Sequence, residues 1–165
     1  MFGEMRRKKQ ALPLEACEKI LERGTSGVLA LEGEKGYPYA VPLSYYYEKG
    51  KIFFHCGKRG YKIEALKRNE KVSFCVIDQD QIIPEEYTTY FRSVIVFGKI
   101  CILEGEAEKR RAIEKLALKY APEEPEEKTN RAIDREFSPL CMLELSIEHI
   151  SGKEAIELVR ENRER

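Results

Sequence analysis

The stretch YPYAVPLSYYYEKGKIFFHC, residues 37–56, is rich in aromatic and aliphatic side chains and is cut once, at Glu48-Lys49-Gly50. Two strand-forming runs joined by a short turn containing glycine predict a β-hairpin. Upstream, TSGVLALEG at 25–33 reads as another strand, so three strands are expected up to His55. Before it, Pro13 suits a first helical position, and Leu14, Cys17, Ile20 and Leu21 recur at helical spacing until Gly24, predicting a short amphipathic helix over 10–23. Downstream, KVSFCVID at 71–78 and RSVIVFGKICILEG at 92–105 predict two more strands. The second is apolar on both faces, which suits a strand packed on a barrel core on one side and on a partner subunit on the other. EAEKRRAIEKLALKY then places Ile113, Leu116, Ala117 and Tyr120 on one helical face, and a further short helix over 127–136 completes a helical insertion at 106–136. In CMLELSIEHI, Cys141, Leu143, Leu145 and Ile147 alternate inward against Met142, Glu144, Ser146 and Glu148 outward, which predicts the closing strand over 140–150. Six mostly antiparallel strands with helices between them predict an α+β, mainly β, domain, a closed barrel being favoured because closure removes exposed edges. A single domain over 1–165 is expected, with core strands at 25–105 and a C-terminal tail at 151–165 whose role is left open.

Composition excludes several classes. The 165 residues carry 29 Lys+Arg against 29 Asp+Glu, so no global field draws the chain to nucleic acid or an anionic membrane. The five cysteines, Cys17, Cys56, Cys75, Cys101 and Cys141, form no CxxC pair or close cluster, which argues against a disulfide framework or a structural zinc site and fits a reducing cytoplasm. The N-terminus is basic at 6–9 but has no signal-peptide core, and no run is long enough to span a membrane, so a soluble, unexported protein is expected. The acidic run 123–127 reads as a solvated loop.

Two stretches carry chemistry. After His55 and Cys56, residues 57–60 form a glycine-bounded cationic loop, and a helix begins near Tyr61 with Lys62 in its first turn. A helix N-terminus offers unpaired amides and partial positive charge, glycine lets the backbone approach a ligand, and Lys58, Arg59 or Lys62 can neutralise a phosphate. The alternative is that these three cations are ordinary surface charges. In the second stretch, Pro42 interrupts a good strand, and proline belongs at an edge, a bulge or a place facing something other than a strand. A flat ligand could be that neighbour, with Val41, Leu43 and Ser44 presenting backbone groups and Tyr45, Tyr46 and Tyr47 aromatic surface. Equally, a tyrosine-rich strand can be core and dimer interface.

Over about Met5 to Ala155 the chain resembles the FMN-binding split barrels related to pyridoxamine 5'-phosphate oxidase, and within them the nitroimidazole-resistance (Nim-type) branch. The likeness rests on RRKKQALPLEACEKIL, GVLALEGEKGYPYAVPLSYYY, IFFHCGKRGYKIEALKRNEKVSFCV, SVIVFGKICILEGEAEKRRAIEKLALKYAP and IEHISGKEA in family order. It implies a homodimer of six-stranded split barrels with FMN at the subunit interface. Val41, Pro42, Leu43 and Ser44 would line the isoalloxazine, and His55 and Cys56 would lie beside the ribityl chain or ring. Gly60 and Lys62 would meet the phosphate, and Ser93 and Val94 would reach in from the second subunit. The oxidase proper carries further basic residues at its phosphate segment, whereas this chain has GKRGYK, so oxidation of pyridoxamine phosphate is not expected.

The resemblance implies a flavin that passes electrons from a reduced nicotinamide to a small oxidised acceptor such as a nitroaromatic or quinone. His55 is the one side chain near the site able to move a proton at neutral pH, so it is the catalytic candidate, or else it hydrogen-bonds the cofactor. His149 reads as structural. Cys56 is the only cysteine in the site, the other four read as small core hydrophobes, and no thiol chemistry is assigned. Two other readings stand beside the reductase: a non-catalytic flavin or haem binder with His55 as axial ligand, and a dimeric interaction module without cofactor.

Overall fold

Alternation builds the core. Leu29, Leu31, Phe74, Val76, Leu143 and Leu145 are each at most 5% exposed and come in pairs two residues apart, so their side chains leave each strand on one face. The computed structural model describes residues 2–164; Met1 and Arg165 lie outside the described residues. In chain order it consists of β1 (Ala11–Leu12), α1 (Leu14–Arg23), β2 (Ser26–Glu32), β3 (Pro38–Ser44), β4 (Tyr46–Glu48), β5 (Lys51–Gly57), α2 (Tyr61–Arg68), β6 (Lys71–Ile83), β7 (Thr88–Ile102), α3 (Glu106–Tyr120), α4 (Glu126–Glu136), β8 (Leu140–Glu154) and α5 (Ile156–Glu164). The strands form one antiparallel sheet in the order β3-β2-β6-β7-β8-β5-β4, with β1 added to β8.

β3 and β4 stand at opposite ends of that order, yet only Tyr45 separates them in the chain. The sheet must therefore curl until its two ends, β3 and β4, approach each other, the arrangement of a split barrel. Tyr45 sits at the corner, fully buried, its ring edge-on to Phe74 at 5.0 Å.

The strand count is eight, not six. The residues at 37–47 expected to form one strand break at Tyr45, where the chain leaves one end of the sheet for the other, and two residues at Ala11–Leu12 pair with Lys153 and Gly152. The hairpin at Glu48-Lys49-Gly50 is present as β4 and β5, with Glu48 opposite Lys51 and Lys49 and Gly50 both at positive φ. β6 and β7 run further than the apolar pattern predicts, pairing out to Ile83 and Thr88 around a turn at Pro84–Glu86.

Four side chains depart from their expected places. Met142 leaves the barrel on the outward side as predicted but is fully buried, because α3 covers it with Ala112 and Leu116. Leu14 opens α1 and is 58% exposed, while Cys17, Ile20 and Leu21 make the buried stripe. Cys101 is exposed opposite Glu144, and Cys75 is half-buried on the outward face between Val28 and Ile95, so neither is a core hydrophobe. No helix among the described residues is long and apolar enough to cross a membrane.

Candidate functional site

β5 ends at Gly57, the chain bends through 58–60, and α2 starts at Tyr61 with Gly60 as its N-cap. Gly60 has φ +129° and ψ 170°, a backbone state that side-chain-bearing residues rarely adopt. No side chain caps the helix, and a Cβ placed on Gly60 would meet nothing within 4 Å. The amides of Ile63 and Glu64 both reach the Gly60 carbonyl, at 3.0 and 3.2 Å. Those of Tyr61 and Lys62 belong to the set that an α-helix leaves unbonded at its start. The helix thus opens on free space with a half-buried lysine in its first turn.

Tyr61 ties this opening to the edge of the sheet. Its ring packs edge-on against Tyr39 of β3 at 4.7 Å, and its hydroxyl accepts a hydrogen bond of 2.6 Å from the Glu34 amide. β3 is an edge strand, paired only with β2, which is where a mid-strand proline is tolerated. Val41 and Leu43 turn inward and pack on the core, whereas Pro42 and Ser44 are exposed. The open edge of β3 and the uncapped end of α2 therefore lie side by side.

His55 and Cys56 reach the same place from β5, on opposite faces of the strand. His55 is exposed opposite Met142, and Cys56 packs against the core opposite Cys141. Although the residue has solvent access, partial desolvation of the ring first, and then the Lys62 charge, lower the His55 pKa from the ordinary histidine value and favour the neutral ring. Burial and the Cys141 thiol push Cys56 up to about 12, with Lys62 working against them. In both, the Lys62 charge acts on a β5 side chain.

Ser93 and Val94 are not with this group. Val94 is fully buried, its side chain in the core and its neighbours Val76 and Gly152 on either side. Ser93 faces outward between Ile77 and Lys153. Three strand spacings of about 4.8 Å separate β3 from β7, so Ser93 lies about 14 Å along the sheet from the Val41–Ser44 edge within one chain. The same outward face carries the row Pro42, Val28, Cys75, Ile95, with Val28 and Ile95 about 40% exposed. At its far side Phe2 stacks on His149 at 4.6 Å and tilts against Phe97 at 5.0 Å. The sequence does not show the Tyr61–Tyr39 pin or the Cys56–Cys141 pairing, because each joins residues whose spacing in the chain carries no period.

The sequence profile of the family described as pyridoxamine 5'-phosphate oxidase matches residues 13–154. No curated protein matches the chain. Among solved structures, a candidate 5-nitroimidazole antibiotic resistance protein from Bacteroides thetaiotaomicron superposes with a TM-score of 0.71 at 22% identity, over 87% of this chain and 85% of that one. An FAD-binding protein from Mesorhizobium loti gives 0.66 at 27% identity, over 88% and 97%. An FAD and heme binding protein from Mycobacterium smegmatis gives 0.71 at 19% identity, over 89% and 73%.

Proposed function

The chain belongs to the pyridoxamine 5'-phosphate oxidase family, and from that premise we propose that it is an FMN-binding flavoprotein, a homodimer, that reduces a small oxidised compound. The observation that carries this reading is the uncapped start of α2, with Gly60 at positive φ and Lys62 in the first turn, pinned by Tyr61 beside the open edge of β3. Such an end takes a phosphate, and the neighbouring strand edge takes a flat ring. The FAD-binding protein and the FAD and heme binding protein among the similar structures support a flavin ligand.

In this reading Gly60 and Lys62 hold the phosphate, the backbone of Val41, Pro42, Leu43 and Ser44 lies along the ring, and Cys56 lines the inner side. His55, its neutral ring favoured, is placed to exchange a proton with a substrate from the exposed side of β5. Ser93, about 14 Å along the sheet from that edge in its own chain, joins the site from a second copy, with Val94 behind it as backbone support. The apolar row of Val28 and Ile95 is the surface that such a copy would cover. The bound flavin would supply the electron chemistry, between a reduced nicotinamide and a nitroaromatic or quinone-like acceptor.

The visible spectrum of the purified protein tests this. A flavin spectrum, with FMN released on denaturation, is expected, and Lys62→Glu should weaken FMN uptake at least about tenfold, the worth of one charge-assisted bond. A Soret band, or a colourless protein that takes up no FMN, overturns it. Anaerobic reoxidation of the reduced protein by nitroimidazoles and quinones then tests the reductase assignment.

A further inference from the structure

Cys56 of β5 and Cys141 of β8 are register partners. Directly opposed residues of an antiparallel pair have Cα atoms about 4.5–5.5 Å apart and side chains on one face. A disulfide needs Cα atoms about 4.4–6.8 Å apart with the side chains turned toward each other, so the two strands already hold the required spacing. Both side chains point inward with Phe54 and Leu143, at the end of the core, and both are free thiols, Cys141 buried and Cys56 half-buried. They are close enough for charge on one to disfavour charge on the other. The other three cysteines stand differently. Cys17 lies in α1 with its thiol toward the Leu12 carbonyl at 3.9 Å, Cys75 sits between Val28 and Ile95, and Cys101 is opposite Glu144.

We propose that Cys56 and Cys141 form a modification site, a cross-strand dithiol that a peroxide closes to a disulfide, stapling the end of β5 to the start of β8. The thiolate of Cys56, the more accessible of the two, attacks one oxygen of hydrogen peroxide. The O–O bond breaks, the departing hydroxide takes up a proton as water, and Cys56 is left as a sulfenic acid. The Cys141 sulfur then attacks the sulfenic sulfur, the S–S bond forms, and the hydroxyl leaves with the Cys141 proton as a second water. Two thiols lose two electrons, and one peroxide becomes two waters. Burial keeps the thiolate scarce at neutral pH, so closure is slow there and quickens about tenfold for each pH unit, since the thiolate is the nucleophile. The staple fixes the strand end from which the 57–60 loop leaves for α2. It rests on the pairing of β5 with β8 and not on the flavin reading.

The experiment treats the reduced full-length protein with hydrogen peroxide at rising pH and maps disulfides by mass spectrometry of a non-reducing digest. Two of the five thiols should disappear together, in one intrachain link between the peptides holding Cys56 and Cys141, reversible by dithiothreitol. Cys141→Ser should instead stop at a sulfenic acid on Cys56 that dimedone captures. Both thiols surviving at about pH 9, loss of thiols at an unchanged rate in Cys56→Ser, or links confined to Cys75 or Cys101 would each overturn the proposal. The mapping on the unmodified chain needs no variant to fold, and run on protein stripped of any bound cofactor it reads the strand pairing alone.

Discussion

Lys62 places a positive charge in the first turn of α2, where the helix field disfavours a cation by about 0.3–1 kcal/mol. An anion at the helix start reverses that cost. The same ammonium lowers the His55 pKa, as the second cause after burial. Lys62→Gln should therefore raise that pKa, and with only two histidines in the chain an NMR titration, assigned with His149→Gln, reads it directly. An unchanged His55 titration would remove the lysine from the site. The sign for stability follows from proton counting. An unfolded histidine titrates near 6.5, so as pH falls below about 6.5 the unfolded chain takes up a proton before the folded one, and stability drops through that window. Lys62→Gln should narrow the window. A second pair of residues separates an unmet hydroxyl from a met one. Tyr45 Oη is buried with no hydrogen-bond partner among the described residues, whereas Tyr120 Oη accepts from the Tyr45 amide at 2.9 Å and donates to the Thr25 carbonyl. Tyr45→Phe should leave stability unchanged or raise it by about 1 kcal/mol, and Tyr120→Phe should lower it by about 1–2 kcal/mol, both by chemical denaturation. The reverse order would mean that the Tyr45 hydroxyl has a partner.

At the scale of elements, close approach between strands sets what the chain tolerates. β7 and β8 slip register between Phe97 and Gly98, and a Cβ on Gly98 would lie 2.1 Å from the Ser146 carbonyl oxygen. Gly98→Ala cannot be absorbed by a side-chain rotation, because the obstacle is backbone. A loss of about 1–3 kcal/mol in urea unfolding is expected, and wild-type stability would show that the slip can relax. Such features explain what was legible in the sequence. Alternation and helical spacing come from neighbours in the chain, so α1, the β4–β5 hairpin, the start of α2 and both insertion helices could be read directly. Ala11–Leu12 is too short to show alternation, and the 79–91 extension is polar at Gln79, Asp80 and Gln81, so neither gave a strand signal. Tyr45 reads as one more strand residue because its role as a corner depends on where the two ends of the sheet meet. At the site, Gly60, Lys62 and Pro42 could be singled out from local chemistry. The Tyr61–Tyr39 pin and the Cys56–Cys141 pair could not, since sheet order alone brings them together. The strand pattern puts Met142 on the outward face but does not reveal that a helix lies over it and buries it.

For the whole molecule, the row Val28, Cys75 and Ile95 lies on an outward face where Val28 is 39% and Ile95 40% exposed, and Ile77 beside it is 66% exposed. Ile95 is the informative position. It stands in the middle of β7, between the edge bearing Pro42 and the strand bearing His149, and it is 40% exposed in the single chain. A charge there meets solvent in a monomer, so Ile95→Glu should fold with near-normal stability, as surface changes do. In the proposed dimer the same carboxylate would be buried without a partner, a cost of several kcal/mol that association cannot recover. Sedimentation velocity should then show a dimer for the parent chain and a monomer for Ile95→Glu. In the proposed site Ser93 comes from the second copy, so FMN uptake should fall with the dimer, although Ile95 lies on β7, strands away from the β3 edge. A variant that stays dimeric would move the interface off this face. One that becomes monomeric and still takes up FMN as the parent does would confine the site to the β3 edge and α2 of a single chain.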